Sequence, residues 1–367
     1  MTRPGGVQSH VRDLSCWLRN EGHAVRVVAP YPPAGVAGGG VTCCGRARMV
    51  SMFGTRFEVS LAGRHELRRL AADLHDWGAE VVHLHTPWTP LMAWQLWQRL
   101  HLPTVTTFHA TLPEASDSGV SGRVLHSIAG YFMKRSRAVV VPSEAPLAHL
   151  RPQERGISAH VLPPAVNLAP WREAGFRRAE NPAGGLEVGF LGRFEARKGL
   201  DVLLEAWPGI SVQVPDARLT IAGAGPLLPS VREAMAGVHG DRIRLVETPD
   251  DATARALVAA WDIVVAPAPY GESFGLVLVE AMAAGALPVA AANAGYASVL
   301  GQGEGVGLLV PPGDAGALIR RIAELAERPD ERDALRRWSV SRAGELDLPE
   351  VGPRLAEIYR EALVPSA

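Results

Sequence analysis

Short apolar runs recur along the chain, each followed by a segment of helix length, and this alternation limits the fold more than any other feature. One series occupies residues 186–191, 218–222, 242–246, 263–266, 287–291 and 306–310, and another 81–85, 104–109, 138–142 and 160–164. Runs this short and this apolar read as strands buried on both faces, and strand–helix–strand order indicates a parallel sheet. Between the two series, the stretch from Pro163-Pro164 to Asn181-Pro182-Ala183-Gly184-Gly185 changes composition. The expected organisation is α/β, with a first domain over 1–164, a linker over 165–185, a second domain over 186–345 and a terminal segment over 346–367 that carries a last helix. At 367 residues the chain is long enough for two cores.

The chain enters in a different order. Val7, Val11, Leu14 and Leu18 stand at helical spacing, Gly22 ends that helix, and 24–29 reads as a buried strand. A doubly wound domain enters as strand, loop and helix, with the ligand loop at the strand's carboxyl end. Met1 to Pro4 alone precede Gly5-Gly6, so the first strand of the first domain is expected to be missing. Residues 30–55 read as loop with one or two strands. A helix over about 61–77 sets Arg64, His65, Arg68 and Arg69 near one face and Leu67, Leu70 and Leu74 on another. Glu66, Asp73 and Asp76 dilute its charge, which favours a solvated face. Trp94 and Trp97 read as core.

Composition excludes several classes. The net charge is −1, so no global field favours nucleic acid. Cys16, Cys43 and Cys44 have neither disulfide nor metal spacing and read as reduced thiols of a cytoplasmic protein. No apolar run reaches the ~20 residues of a membrane span, and no signal peptide is expected. Any membrane contact is expected at the inner surface.

Two stretches carry the chemistry. Residues 271–285, G-E-S-F-G-L-V-L-V-E-A-M-A-A-G, read as a loop that becomes a helix near Phe274. A helix start presents unpaired N–H groups and attracts phosphate, and Ser273 and Gly275 would let a ligand approach it. Glu272 before the helix and Glu280 within it place two carboxylates along one extended ligand, because an ionised carboxylate accepts two hydroxyl protons. Arg193 and Lys198 are five apart, after a strand and before a helix. Arginine forks two phosphate oxygens and lysine acts as a point charge; Arg197 lies beside them. No D-x-D pair or metal-spaced cluster is present in the sequence, so no metal and no cofactor is expected. Gly223-Ala224-Gly225-Pro226 lacks the spacing of a dinucleotide loop.

The run E-S-F-G-L-V-L-V-E resembles the E-x7-E signature of family-four retaining glycosyltransferases. Gly5-Gly6-Val7-Gln8-Ser9-His10 resembles their N-terminal glycine loop, and G-R-F-E-A-R-K-G at 192–199 resembles their phosphate-binding element. Together with the T-F-H of 107–109, these motifs are most similar to those of bacterial phosphatidylinositol mannosyltransferases. The resemblance implies two Rossmann-like domains facing a cleft, the GT-B fold, with the last helix returning to the first domain. It also implies a nucleotide-diphosphate sugar donor, most simply GDP-mannose, and a hydroxyl acceptor that is a membrane lipid. The basic helix would touch anionic lipid. The implied catalytic residues are His109, Arg193, Lys198 and Glu272. Glu280 would hold the donor ribose, Glu272 the transferred sugar, and Gly5 and Gly6 the donor phosphate. Arg197, Ser273, Phe274, Gly275 and Leu276 complete that site, and Pro249, Asp250 and Asp251 sit where a base-contacting loop is expected. Gln8 and Arg56 match positions that hold an inositol phosphate. Three alternatives stay open: a UDP-sugar transferase with a soluble acceptor, an inactive nucleotide-sugar binder, and a Rossmann oxidoreductase.

Overall fold

A computed structural model describes residues 5–31, 40–52, 55–87, 91–111, 120–177 and 184–364. Strands β1 to β7 are Val27–Tyr31, Val41–Met52, Thr55–Leu61, Val82–His85, Thr104–Thr107, Ala138–Val141 and Ala159–Val161. Strands β8 to β13 are Glu187–Arg193, Arg218–Ala224, Ile243–Glu247, Ile263–Ala266, Leu287–Ala291 and Leu309–Val310. The chain divides into two units, Met1–Val166 with Leu348–Ala367, and Asn167–Asp347.

The second unit holds one parallel sheet in the order β10-β9-β8-β11-β12-β13. Every residue of β11 and β12 is buried, as strands covered by helices on both faces require. The chain leaves β8 toward β9 on one side and returns as β11 on the other. The strand order therefore reverses between β8 and β11, and the crevice outside their carboxyl ends is where such sheets bind ligands. The segment read as a linker contains helix Ala169–Phe176, whose Trp171 and Ala174 pack on the cluster of Val258, Trp261, Ala281 and Ala284. The buried carboxylate of Asp347 accepts hydrogen bonds from the Leu168 N–H and from Arg172, fixing both ends of this unit to each other.

The first unit holds two sheets. One is β1-β2-β3, with β1 and β2 parallel and β2 and β3 an antiparallel hairpin; the other is the parallel β4-β5-β6-β7. The region read as loop with one or two strands holds β2 and the start of β3 among its described residues. Among the described residues β1 and β4 each pair on one side only. Helix Gly6–Asn20 buries His10, Leu14, Ser15 and Leu18. Its Leu14 and Leu18 join Leu348, Val351, Leu355 and Ile358 of helix Leu348–Leu363 in one cluster over Val105 and Val140. Trp97 is core and donates its indole N–H to Thr104. No helix among the described residues is long and apolar enough to cross a membrane.

Candidate active site

In the second unit, an interlocked set of charges sits at the switch point. Arg193 ends β8, and Ala196–Lys198 forms a 3-10 turn after it. Glu272 lies on the loop after β11. Lys198 Nζ is 2.6 Å from Glu272 Oε1, and Arg197 Nη1 is 3.3 Å from the same oxygen. Glu195 holds Arg197 Nε at 3.0 Å through one oxygen and Arg193 Nη1 at 3.0 Å through the other. Three cations and two carboxylates leave an excess positive charge, and the Arg193 side chain is half exposed while Glu272 is 10% exposed. An oxyanion placed here would meet cations already gathered at the switch point and would compete with Glu272 for Lys198. Glu195 was missed from the sequence, although it lies inside the motif; its i−2 and i+2 arginines are the signal.

Two glycines join the pieces. Gly199 has φ +69, and a Cβ there would lie 2.1 Å from the Pro267 carbonyl oxygen, so the loops after β8 and β11 meet backbone to backbone. Gly275 has φ +105, and a Cβ would lie 2.5 Å from the Tyr296 ring. This left-handed residue delays the helix to Leu276–Ala283, two residues later than expected, so that Glu280 lies about one turn inside it. Gly275 is therefore required by Tyr296 whether or not a ligand approaches. Burial, reinforced by the Glu272 charge, pushes the Tyr296 phenol well above its usual pKa.

Other expected donor contacts sort differently. Phe274 is buried and supports the loop from within. Ser273, Leu276 and Glu280 are partly exposed. Asp250 caps helix Asp251–Ala260 by accepting the Thr253 N–H at 2.7 Å, and that bond lowers its pKa. One of its carboxylate oxygens is thus committed to the helix.

In the first unit, four histidines converge. His83 and His85 alternate along β4, and His109 follows β5, whose Thr107 is level with His85. His85 Nδ1 and His109 Nε2 are 2.9 Å apart in a hydrogen bond. The His10 ring stands edge-on to both, with centroids 5.3 Å from His85 and 5.1 Å from His109. His83 is pinned between the Tyr359 hydroxyl at 2.6 Å and the Thr107 hydroxyl at 2.7 Å. Desolvation lowers the pKa of all four, to about 4 for His10; for His83, His85 and His109, charges on neighbouring histidines add to it. The backbone of Ala165 raises His10 too little to offset burial. The cluster is therefore neutral at pH 7 and offers hydrogen bonds without charge.

Sequence reasoning singled out His109 alone. The signals for the others were the i, i+2 spacing of His83 and His85, which puts both on one strand face, and the i, i+4, i+8 stripe of His10, Leu14 and Leu18. Gly5 is the N-cap of the first helix, in extended backbone with φ −175, and Gly6 is its first residue. Gln8 lies in the same turn, partly exposed. Arg56 lies in β3 opposite Ser51; its side chain is outside the described residues.

Residues 4–170 match the family described as Glycosyltransferase Family 4, and residues 172–339 match Glycosyl transferases group 1. The chain is 35% identical over 345 residues to a phosphatidyl-myo-inositol mannosyltransferase of Mycobacterium leprae, covering 93% of this chain and 88% of that protein. It is 33% identical over 345 residues to the protein of the same name from Mycolicibacterium smegmatis, covering 93% and 85%. Among solved structures, Anabaena HepE in complex with UDP and glucose superposes with a TM-score of 0.73 at 18% identity, over 98% of this chain and 97% of that one. The chain belongs to the family-four glycosyltransferases and has their GT-B fold. It is a glycosyltransferase.

Proposed function

We propose that the chain transfers mannose, with retention of configuration, from GDP-mannose to an inositol hydroxyl of a phosphatidylinositol-type lipid. The observation that carries this reading is the Arg193–Glu195–Arg197–Glu272–Lys198 network at the switch point, joined to relatives named phosphatidyl-myo-inositol mannosyltransferase. In the proposed reaction Arg193 and Lys198 receive the β-phosphate, where negative charge grows as the sugar leaves. Glu272, released from Lys198 by that phosphate, accepts sugar hydroxyls, and Glu280 takes the ribose. The acceptor hydroxyl attacks on the face the phosphate leaves and gives its proton to the β-phosphate. Gln8, Gly5, Gly6 and Arg56 belong to the acceptor and sugar side, and neutral His109 donates or accepts a hydrogen bond to the sugar. No resident metal or cofactor enters the scheme.

A lipid acceptor is also supported by helix Arg64–Asp76. Glu66 turns inward to accept the Gly45 N–H at 3.1 Å, and Asp73 pairs with Arg26. Two of the acidic groups expected to dilute the exposed Arg64, Arg68 and Arg69 are thus engaged elsewhere. This face suits peripheral contact with anionic lipid at the cytoplasmic surface.

The test is a transfer assay with GDP-mannose or UDP-glucose against phosphatidylinositol vesicles or soluble inositol phosphate, with the product anomer read by NMR. Mannolipid in the α-configuration is the expected product. Transfer from UDP-glucose alone, or to the soluble acceptor alone, overturns the donor or the acceptor assignment.

A further inference from the structure

The histidine cluster has a property that sugar transfer does not require. His10 is 4% exposed, and apart from a poorly aligned approach to the Ala165 backbone neither ring nitrogen has a hydrogen-bond partner. An unsatisfied buried polar atom is costly, and a ligand that engages it relieves that cost. His10, His85 and His109 each offer a ring nitrogen, and these three atoms lie within 4.8 Å of one another. Two nitrogens on one tetrahedral zinc, at Zn–N of about 2.0–2.1 Å, stand about 3.3 Å apart. The His85–His109 pair, now 2.9 Å apart, has to open slightly and His10 to swing inward. Both are rotations about side-chain bonds. His85 is braced by the His83 ring at 4.0 Å between centroids, and His83 is held by Tyr359 and Thr107. A pocket lined by His10, Thr107, His109, Pro142, Pro163 and Leu355 adjoins the cluster.

We propose that His10, His85 and His109 form a three-nitrogen site for a borderline divalent transition metal such as Zn²⁺ or Co²⁺. The donor set decides the class of ion. Imidazole suits zinc, cobalt, nickel and copper, whereas magnesium, calcium and manganese require oxygen ligands that the cluster lacks. Three histidines leave a fourth position open to water. The bound ion takes His109 Nε2 from its hydrogen bond with His85 and re-aims the ring that the proposed reaction sets against the sugar. Resting on the proposed transferase reading, the consequence is inhibition: the metal is a ligand that stops transfer rather than a cofactor that supports it.

The test begins with binding, which needs no activity. The full chain, stripped with chelator and dialysed, is titrated with Co²⁺ and followed by visible absorption. The expected result is one equivalent bound, with the d–d bands of four-coordinate cobalt, displaced by Zn²⁺ and unaffected by excess Mg²⁺. His10→Leu and His85→Gln should each abolish the bands, whereas His75→Gln, on an exposed helix, should retain them. His10→Leu removes a buried, poorly satisfied imidazole at similar volume and should melt no lower than the parent; if it does not fold, His85→Gln decides alone. Absence of the bands, or their survival in the His10 and His85 variants, overturns the site. In the transfer assay one equivalent of Zn²⁺ should lower the rate at least ~10-fold, since it ties up a group in the reaction centre, and EDTA should restore it. Cobalt bands without inhibition by zinc leave the site standing and refute the role given to His109. A chain that binds cobalt and transfers no sugar refutes the proposed donor and acceptor alone.

Discussion

The two units solve the problem of holding reactive side chains in opposite ways. In the second unit, charged groups are fixed by other charged groups: Glu195 and Glu272 bridge three cations at the switch point of a continuous six-stranded sheet. In the first, uncharged imidazoles are fixed by burial, stacking and hydroxyl partners at the ends of a four-stranded sheet. In the proposed reaction, the difference matches the charge each unit has to meet. A leaving diphosphate needs cations whose own repulsion is already offset. A sugar or acceptor hydroxyl needs hydrogen bonds, which a neutral imidazole supplies. Ion pairs tolerate partial exposure, whereas neutral imidazole is maintained by desolvation.

The strongest way to break this comparison is through the cations. Lys198→Ala and Arg193→Ala should each lower turnover by on the order of 10²–10³-fold at saturating donor, with the circular dichroism of the parent. Near-parental turnover in both would remove the phosphate role from the charged network. His109→Ala comes next. It should cost on the order of 10²-fold in transfer through lost positioning, while nucleotide affinity measured by calorimetry stays unchanged, because the proposed nucleotide contacts belong to the second unit. A large loss of nucleotide affinity would show that the division of labour between units is wrong.

Two smaller effects separate fold from chemistry. Gly199→Ala forces a Cβ toward the Pro267 carbonyl at a left-handed backbone position, and should destabilise by about 1–3 kcal/mol, read by urea denaturation. An unchanged midpoint would mean that the two loops do not need this approach. Tyr359→Phe removes the hydroxyl that pins His83 and should cost ~1 kcal/mol, seen as a lower melting temperature. The smallest expected effect is that of EDTA on purified enzyme free of added metal, which should not lower transfer. Loss of activity restored by Mg²⁺ would show that the cations of the second unit do not suffice to neutralise the leaving phosphate.

Much of the fold was legible because it rests on local pattern. Apolar runs separated by helical segments define buried strands of a parallel sheet, and the five-residue spacing of Arg193 and Lys198 places both around one strand-to-helix turn whatever the rest of the chain does. The helix start was misplaced by two residues because the left-handed Gly275 is demanded by Tyr296, a neighbour in space rather than in sequence. Strand order decided the rest. Lys198 and Glu272 are 74 residues apart, and they meet because β8 and β11 are neighbours in the sheet. His10, His83, His85 and His109 each look ordinary in their own segment and become a cluster only where a helix packs over adjacent strand ends. The sequence by itself determined which local elements form and which side chains they carry, through periodicity and spacing. Which of those side chains touch was decided by the tertiary structure, because sheet order and helix docking depend on burial summed over the whole unit.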